Sequence, residues 1–316
     1  MASQEYIDNY FDSIVEREVI FIRKELLKQP RAQWTDVEVY KKYRFCNVHR
    51  CYDKTFKLIK QLSDLLGGIH PGLRTVLRWL ASNPLLDYLI DGVHYFSDNV
   101  RLHDALFNAN DGSPEELFSI ILEDYHKGKI PLVSGSFIVK RYGNDLEQML
   151  WLYTRGTEFN DKFVTPYAVE GKECTSEDAV QFFRSHRYYV NWFSAYCIVS
   201  DWIYLMPNMF TDLYTWTAFG PGAYNGIQLL AGTISKKQYL PCLQALWEEW
   251  NHRAPEMFDA VLKQTGLTRD RLNELCKINH YYPMEDLLLT PTMLDVEHWL
   301  CEYAKYARGW AKKKYA

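Results

Sequence analysis

"DVEHWLCEYAKYARGWAKKKYA", residues 295–316, closes the chain and decides its fold class, because the apolar side chains recur at helical rather than strand spacing. At about 100° of rotation per residue, Val296, Trp299, Leu300, Tyr303, Ala307 and Trp310 share one face, which is expected to pack on a core. A second strip carries Glu297, Cys301, Lys305 and Arg308, an acid, a thiol, an amine and a guanidinium. Two readings stand side by side. The strip is a solvated face laced with i, i+4 ion pairs, or it is one wall of a site.

Helical periodicity continues outward from this segment. It runs through "EYIDNYFDSIVEREVIFIRKELL", "NVHRCYDKTFKLIKQLSDLL", "LRTVLRWLASN", "SPEELFSIILEDYHKG", "NDLEQMLWLYTRGTEF", "SEDAVQFFRSHRYYVNWFSAYCIVSDWIYLM" and "KKQYLPCLQALWEEWNHRAPEMFDAVLKQ". Asn47, Ser113, Ser176 and Ser235 stand where N-caps are expected. Only "PLVSGSFIVKR", residues 131–141, alternates in a strand-like way. The fold class is therefore all-α, with at most a minor strand pair. No repeat or long linker divides the chain, and its glycines and prolines fall in short breaks such as "GGIHPG" and "FGPGAYNG". One helical domain over 1–316 is expected, with 1–40 as an N-terminal helical extension outside a core at 41–316.

The 316 residues are 47% hydrophobic and 24% charged, enough to bury a substantial core. An aromatic content of 16% serves equally for core filling and for stacking bases. The formal charge of −4 excludes a uniformly basic coat, so contact with phosphates calls for a local cluster such as Lys312 to Lys314. Seven scattered cysteines without a CxxC pair argue against a disulfide framework and a structural zinc site. The acidic start "MASQEYIDNYFD" has no apolar signal core, and no run of 18 apolar residues follows. A cytoplasmic protein without membrane contact, metal or cofactor is expected.

Three further stretches carry chemistry. In "NVHRCYDKTFKLIK", Asn47, Arg50, Lys54 and Lys57 share a polar strip with Asp53 at its edge. An Arg50–Asp53 pair on a solvated face is one reading; an anion site beside a helix start is the other. "TAFGPGAYNGI" sets Gly220 and Gly222 around Pro221, either as a plain tight turn or as a place where backbone N–H groups approach a phosphate. "HRYYVNWFSAYCIVSDWIY" places His186, Tyr196 and Asp201 in an aromatic helix, and a carboxylate in such surroundings must be paired or protonated if it is buried. The chain contains no GxxxxGK[ST], HExxH, HxE with PCxxC, or GxSxG, which removes Walker-type kinase, zinc hydrolase, zinc deaminase and α/β-hydrolase machinery.

Taken in order, "YRFCNVHRCYDKTFKLI", "VSGSFIV", "WFSAYCIVSDWIY", "FGPGAYNGI" and "LDVEHWLCEYAKYAR" resemble successive blocks of the α-glutamyl/putrescinyl-thymine pyrophosphorylase family, the amino acid:DNA transferases. The helical domain of that family also accompanies 5-hydroxymethyluracil DNA kinases, and the resemblance spans about Tyr43 to Arg308. It implies a largely phage-encoded enzyme, acting in the host cytoplasm, whose substrate is DNA carrying 5-pyrophosphoryloxymethyluracil. An amino acid or polyamine displaces the pyrophosphate to leave a hypermodified thymine. The resemblance also implies a DNA-glycosylase-like helical architecture with base flipping, and a functional partnership with a 5-hydroxymethyluracil DNA kinase. The sequence departs from the helix-hairpin-helix template, reading "YYVNWF" before Ser194 where such proteins carry LPGxG.

Under that reading Asn47, Arg50, Lys305, Arg308, Gly220 and Gly222 bind substrate or pyrophosphate, because negative charge builds on the leaving oxygens. Glu297, Glu302, Asp53 and Asp201 compete as the base that deprotonates the incoming amine. Cys301 either adds to C6 of the ring or is a packed thiol. Two alternatives stay open: a glycosylase-like enzyme in which Asp201 activates water at the sugar carbon, and a non-catalytic DNA-binding partner of a kinase.

Overall fold

Tyr10, Ile14, Val19 and Ile22 recur at helical spacing near the start, and each is almost wholly withdrawn from water. The computed structural model describes residues 4–43, 45, 47–95, 99–133, 144–184, 190–279, 281–282 and 284–314, leaving aside the side chains of 284–285 and 308–314. Two compact units divide the chain. One joins residues 1–50 to 213–316, and the other holds 51–212.

The first unit opens with α1 (Gln4–Phe21), which continues through a π-helical turn (Ile22–Leu26) to a short α2 (Glu38–Lys42). The second unit contains α3 (Lys54–Leu65), α4 (Pro71–Leu80), α5 (Asn83–His94), α6 (Val100–Asn110), α7 (Glu115–His126), α8 (Asp145–Phe159), α9 (Thr165–Glu170), α10 (Ser176–Phe183) and α11 (Trp192–Leu205). The chain then returns to the first unit with α12 (Pro221–Ala231), α13 (Tyr239–Thr265), α14 (Arg269–Ile278), α15 (Met284–Leu289) and α16 (Met293–Lys314). The all-α class holds. Among the described residues the extended pairing is a single parallel bridge between Cys174 and Phe210, while most of the strand-like 131–141 lies outside them. No helix among the described residues is long and apolar enough to cross a membrane.

Several local expectations change. Asn47 starts no helix; the α-helix begins at Lys54, and the Asp53 carboxylate caps it by accepting from Phe56 N–H at 2.7 Å. The polar strip Asn47, Arg50, Lys54, Lys57 therefore does not form. Thr175 rather than Ser176 caps α10, and Pro114 stands at the cap position of α7 in place of Ser113. Ser235 does form a capping box with Gln238. The stretch 176–206 is two helices, because Asn191 is extended and its side chain caps a new start by accepting from Ser194 N–H. His186 lies outside the described residues.

Residues 4–21, expected outside the core, help to build it. Tyr10 meets Trp250 and Tyr303 edge-on, and Trp250 stacks on Trp299 with centroids 3.5 Å apart. The predicted apolar face of α16 is buried, with Val296, Trp299, Leu300, Tyr303 and Ala307 all inside. α16 meets α12 at an unusually close approach through Gly222 and Gly226. A Cβ on Gly222 would collide with Cys301 Sγ, and one on Gly226 with the Leu300 carbonyl oxygen. The tight "GPGA" turn is thus a packing surface for the closing helix.

Gly226→Ala is expected to destabilise the protein by about 2–3 kcal/mol, because backbone cannot swing aside. Gly222→Ala should be rescued in part by Cys301→Ala, since there the obstacle is a side chain. Denaturant titrations of the two single variants and the double variant measure both effects; equal costs with no coupling would refute this packing account.

Candidate functional site

In the first unit, α16 presents polar groups on two sides. Glu297 and Cys301, one turn apart, face α12. Glu297 is 1% exposed, and its Oε1 accepts the Gly220 N–H at 3.0 Å. Gly220 is the N-cap of α12 and has no side chain with which to cap it, so the carboxylate arrives from another helix and meets the positive end of the helix dipole. Cys301 lies against Gly222 as a packed thiol. The solvated-strip reading of the closing helix fails at Glu297.

His298, Glu302 and Lys305 form the second side. His298 Nε2 donates to the Asn47 carbonyl at 2.8 Å, and the neighbouring Trp299 Nε1 donates to the Val48 carbonyl at 2.6 Å. Arg17 of α1 also reaches the Asn47 carbonyl, at 3.4 Å. Arg17, Glu18, His49, Arg50, His298 and Glu302 are all buried, and His49 Nε2 meets Glu18 Oε2 at 2.9 Å. Glu302 accepts from Lys305 Nζ at 2.6 Å, while Lys305 itself stays about half exposed. The Asn47 side chain accepts from His49 N–H and so shapes the segment that carries Arg50.

Charge sets the protonation of this cluster. Burial, reinforced by Arg50 and Arg17, pushes His298 down to about 4 against the opposing pull of Glu302 and the Asn47 carbonyl. His298 is therefore a neutral imidazole at pH 7, with its proton on Nε2. Burial works to raise Glu302, but Arg17, His298 and Lys305 outweigh it and hold the carboxyl at about 2. The cluster thus combines the Glu302 and Glu18 carboxylates, buried guanidinium groups, the neutral His298 imidazole together with His49, and one partly exposed ammonium. Such an array orients anions and stabilises negative charge as it forms.

Of the residues singled out from sequence, the fold gathers Asn47, Arg50, Glu302 and Lys305 in this cluster, and Glu297, Cys301, Gly220 and Gly222 at the α12 contact. The expected strip linking Glu297 to Lys305 is split, because Lys305 turns to Glu302. The Arg308 side chain lies outside the described residues. Arg17, Glu18, His49 and His298 were not anticipated. A signal existed for Arg17, which stands seven residues after Tyr10 and four before Phe21, on the apolar face of α1.

Asp53 and Asp201 belong to the second unit, and neither resembles a poised base. Arg78 Nε lies 3.1 Å from Asp201 Oδ1 while its NH2 reaches Asp53 Oδ2 at 3.1 Å, a partner for Asp53 that the sequence reading does not name. Arg74 adds a longer contact to Asp201 at 3.9 Å, and burial lowers its pKa. Asp201, Arg74 and Arg78 are all buried. Both aspartates act as partners of buried arginines. Among the described residues no group of three His, Cys, Asp or Glu is placed to hold a metal ion.

A family model describing the helical domain of 5-hmdU DNA kinases matches residues 4–63 and 110–315, and the chain belongs to that family. The match begins in α1, earlier than the resemblance at Tyr43, and so includes Arg17 and Glu18. It omits 64–109, the stretch that supplies Arg74 and Arg78. Membership associates the chain with the modification of 5-hydroxymethyluracil in DNA. No curated protein and no solved structure matches it.

Two measurements follow from the charges. His298 is protonated below about 6.5 when unfolded but only below about 4 when folded, so stability should fall by up to about 3 kcal/mol as pH drops through that window. Glu302, ionised when folded down to about 2, should remove further stability below about pH 4.5. In His298→Gln the loss between pH 6.5 and 4.5 should flatten while the lower one persists, as read from denaturant midpoints. Asp201→Asn should cost about 3–5 kcal/mol by removing the carboxylate beside buried Arg74 and leaving buried Arg78 with Asp53 alone; a variant of unchanged stability would overturn the ion-pair assignment.

Proposed function

We propose that this chain is a DNA thymine-hypermodification transferase, displacing pyrophosphate from 5-pyrophosphoryloxymethyluracil with an amine or hydroxyl nucleophile. The observation that supports it most is that α16 holds a carboxylate bonded to the half-exposed Lys305 beside a neutral imidazole whose charge state is set by Arg50 and Arg17 from the other end of the sequence. Departure of pyrophosphate places charge on its oxygens, and cations fixed beforehand lower that barrier without reorganising. In this reading Lys305, being partly exposed, meets the leaving group. Arg50 and Arg17 set the field behind it, and Glu302 holds the cations in place.

The nucleophile's ammonium must lose a proton before it attacks carbon. Glu302, at about 2, is a poor acceptor, and Asp53 and Asp201 are committed to Arg78. Glu297 is likewise committed, buried and accepting the Gly220 N–H on the α12 side of the helix, so this reading assigns the proton to none of the four carboxylates and has the nucleophile enter as the free amine. Cys301 serves as packing. Base flipping and a glycosylase-like architecture belong to the same proposal and rest on the sequence resemblance.

The family's description as a kinase helical domain favours one second reading, a non-catalytic DNA-binding partner of a 5-hydroxymethyluracil DNA kinase. One assay separates the two. DNA bearing pyrophosphorylated hydroxymethyluracil is incubated with the protein and a mixture of amino acids and putrescine, followed by pyrophosphate measurement and nucleoside mass spectrometry. The transferase reading expects released pyrophosphate and an amine-bearing thymidine, with Lys305→Gln slower by about 10²-fold. Abasic sites would point to excision instead, and the absence of any product with every nucleophile would favour the partner role.

A further inference from the structure

In the second unit, α6 lies within the stretch that the family model leaves unmatched, up to Ala109, and it has a seated side and an open one. Leu102, Ala105, Leu106 and Ala109 anchor it, each no more than 1% exposed. On the open side, at about 100° per residue, Val100, Asp104, Phe107 and the C-cap Asp111 fall within about 60° of one another, and all four are exposed. Val100 is 54% exposed and Phe107 39%, two turns and about 10 Å apart along the axis. The His103 ring packs against Phe107 with centroids 4.6 Å apart, which holds the phenyl group at the surface. Tyr95, the C-cap of α5 shortly before Val100, is 62% exposed. Apolar side chains scattered singly over a surface are ordinary; here three follow closely on a firmly seated helix and its approach.

Charge selects what can cover this stripe. In sequence, residues 83–126 hold nine carboxylates, one arginine and no lysine, within a chain of 40 acidic and 36 basic residues, so the remainder of the chain is net basic. The one arginine, Arg101, is committed to Glu116 at 2.7 Å and Glu123 at 3.2 Å. Asp91, Asp104 and Asp111 are exposed and pair with no Lys or Arg among the described residues; Asp104 meets the adjacent His103 at 3.2 Å. An apolar stripe with this rim repels nucleic acid and anionic membranes and attracts a cationic protein surface. Its width, a single row of side chains on one helix, suits a second helix lying alongside. We propose that this face of α6 docks a basic amphipathic helix of another protein, with apolar side chains over Val100 and Phe107 and lysines or arginines beside Asp104 and Asp111. The surface is independent of the transferase reading. Because Tyr95, Val100, Asp104 and Phe107 all lie outside the matched segments, the partner is a feature of this chain and not of the shared family pattern.

The probe is a labelled helical peptide of about 18 residues, with a leucine stripe flanked by lysines, titrated with the full chain and followed by fluorescence anisotropy. A scrambled peptide of the same composition and one with glutamate in place of lysine are the comparisons. The cationic amphipathic peptide should bind at least about tenfold tighter than either, and should weaken as salt rises from about 50 to 300 mM. Val100→Ser and Phe107→Ser should each weaken it by about tenfold. The double variant Asp104→Lys, Asp111→Lys should weaken it as much and flatten the salt dependence. The melting temperature should be unchanged in all of these variants, because each replaced side chain is exposed. No binding of the peptide, equal binding of the scrambled sequence, or an affinity indifferent to Phe107→Ser would overturn the proposal. So would sedimentation in which Phe107→Ser converts a dimer to a monomer, which would assign the face to a second copy of this chain.

Discussion

Two adjacent side chains of the closing helix, His298 and Trp299, donate to the carbonyls of two adjacent residues, Asn47 and Val48, across 251 positions of sequence. This paired contact is the constraint on which the first unit depends. The Trp299–Val48 bond is buried, so that carbonyl would lose its partner to no compensating water if the helix shifted, while the half-buried Asn47 carbonyl would keep its contact with Arg17. The paired contact also fixes the direction in which the chain leaves Asn47, and with it the position of Arg50. Trp299 completes the arrangement by stacking on Trp250, so a hydrogen-bond donor and a core aromatic are one residue.

Burying this much charge is costly, and the pattern of the cost is informative. Each unit holds a buried ionic group, but the two differ in kind. In the second unit Arg78 bridges two carboxylates, and its charge is balanced within the group. In the first, a carboxylate held near pH 2 and an imidazole held near pH 4 stand beside guanidinium groups, with Lys305 reaching water. Perturbed groups with a partly open cation among them are the more common mark of a working site.

The helical class was readable because the apolar period of 3.6 persists through long segments such as α1, α13 and α16. The burial of the α16 face was readable for the same reason. What sequence could not supply was the partner of each polar group. Glu297 seemed to belong with Lys305 by spacing, yet it caps α12, whose Gly220 has no side chain of its own to offer. For Asp53 spacing offered only Arg50 three residues away, yet its carboxylate also caps α3 and meets Arg78, a partner 25 residues further on. His298 was invisible because a histidine between an acid and a tryptophan has no distinguishing spacing. Its significance comes from a carbonyl contributed by the other end of the chain.

Arg74 and Arg78 come from α4, inside the stretch 64–109 that the family model leaves unmatched, whereas Asp53 and Asp201 lie within matched segments. The two aspartates therefore depend on residues that the shared family pattern does not itself provide. A chain without arginines at 74 and 78 would leave the buried Asp201 and the half-buried Asp53 without these partners, so the residues at 53 and 201 should change together with them. Covariation of this kind would show how tightly the unmatched helices are tied, through charge, to the segments the family shares.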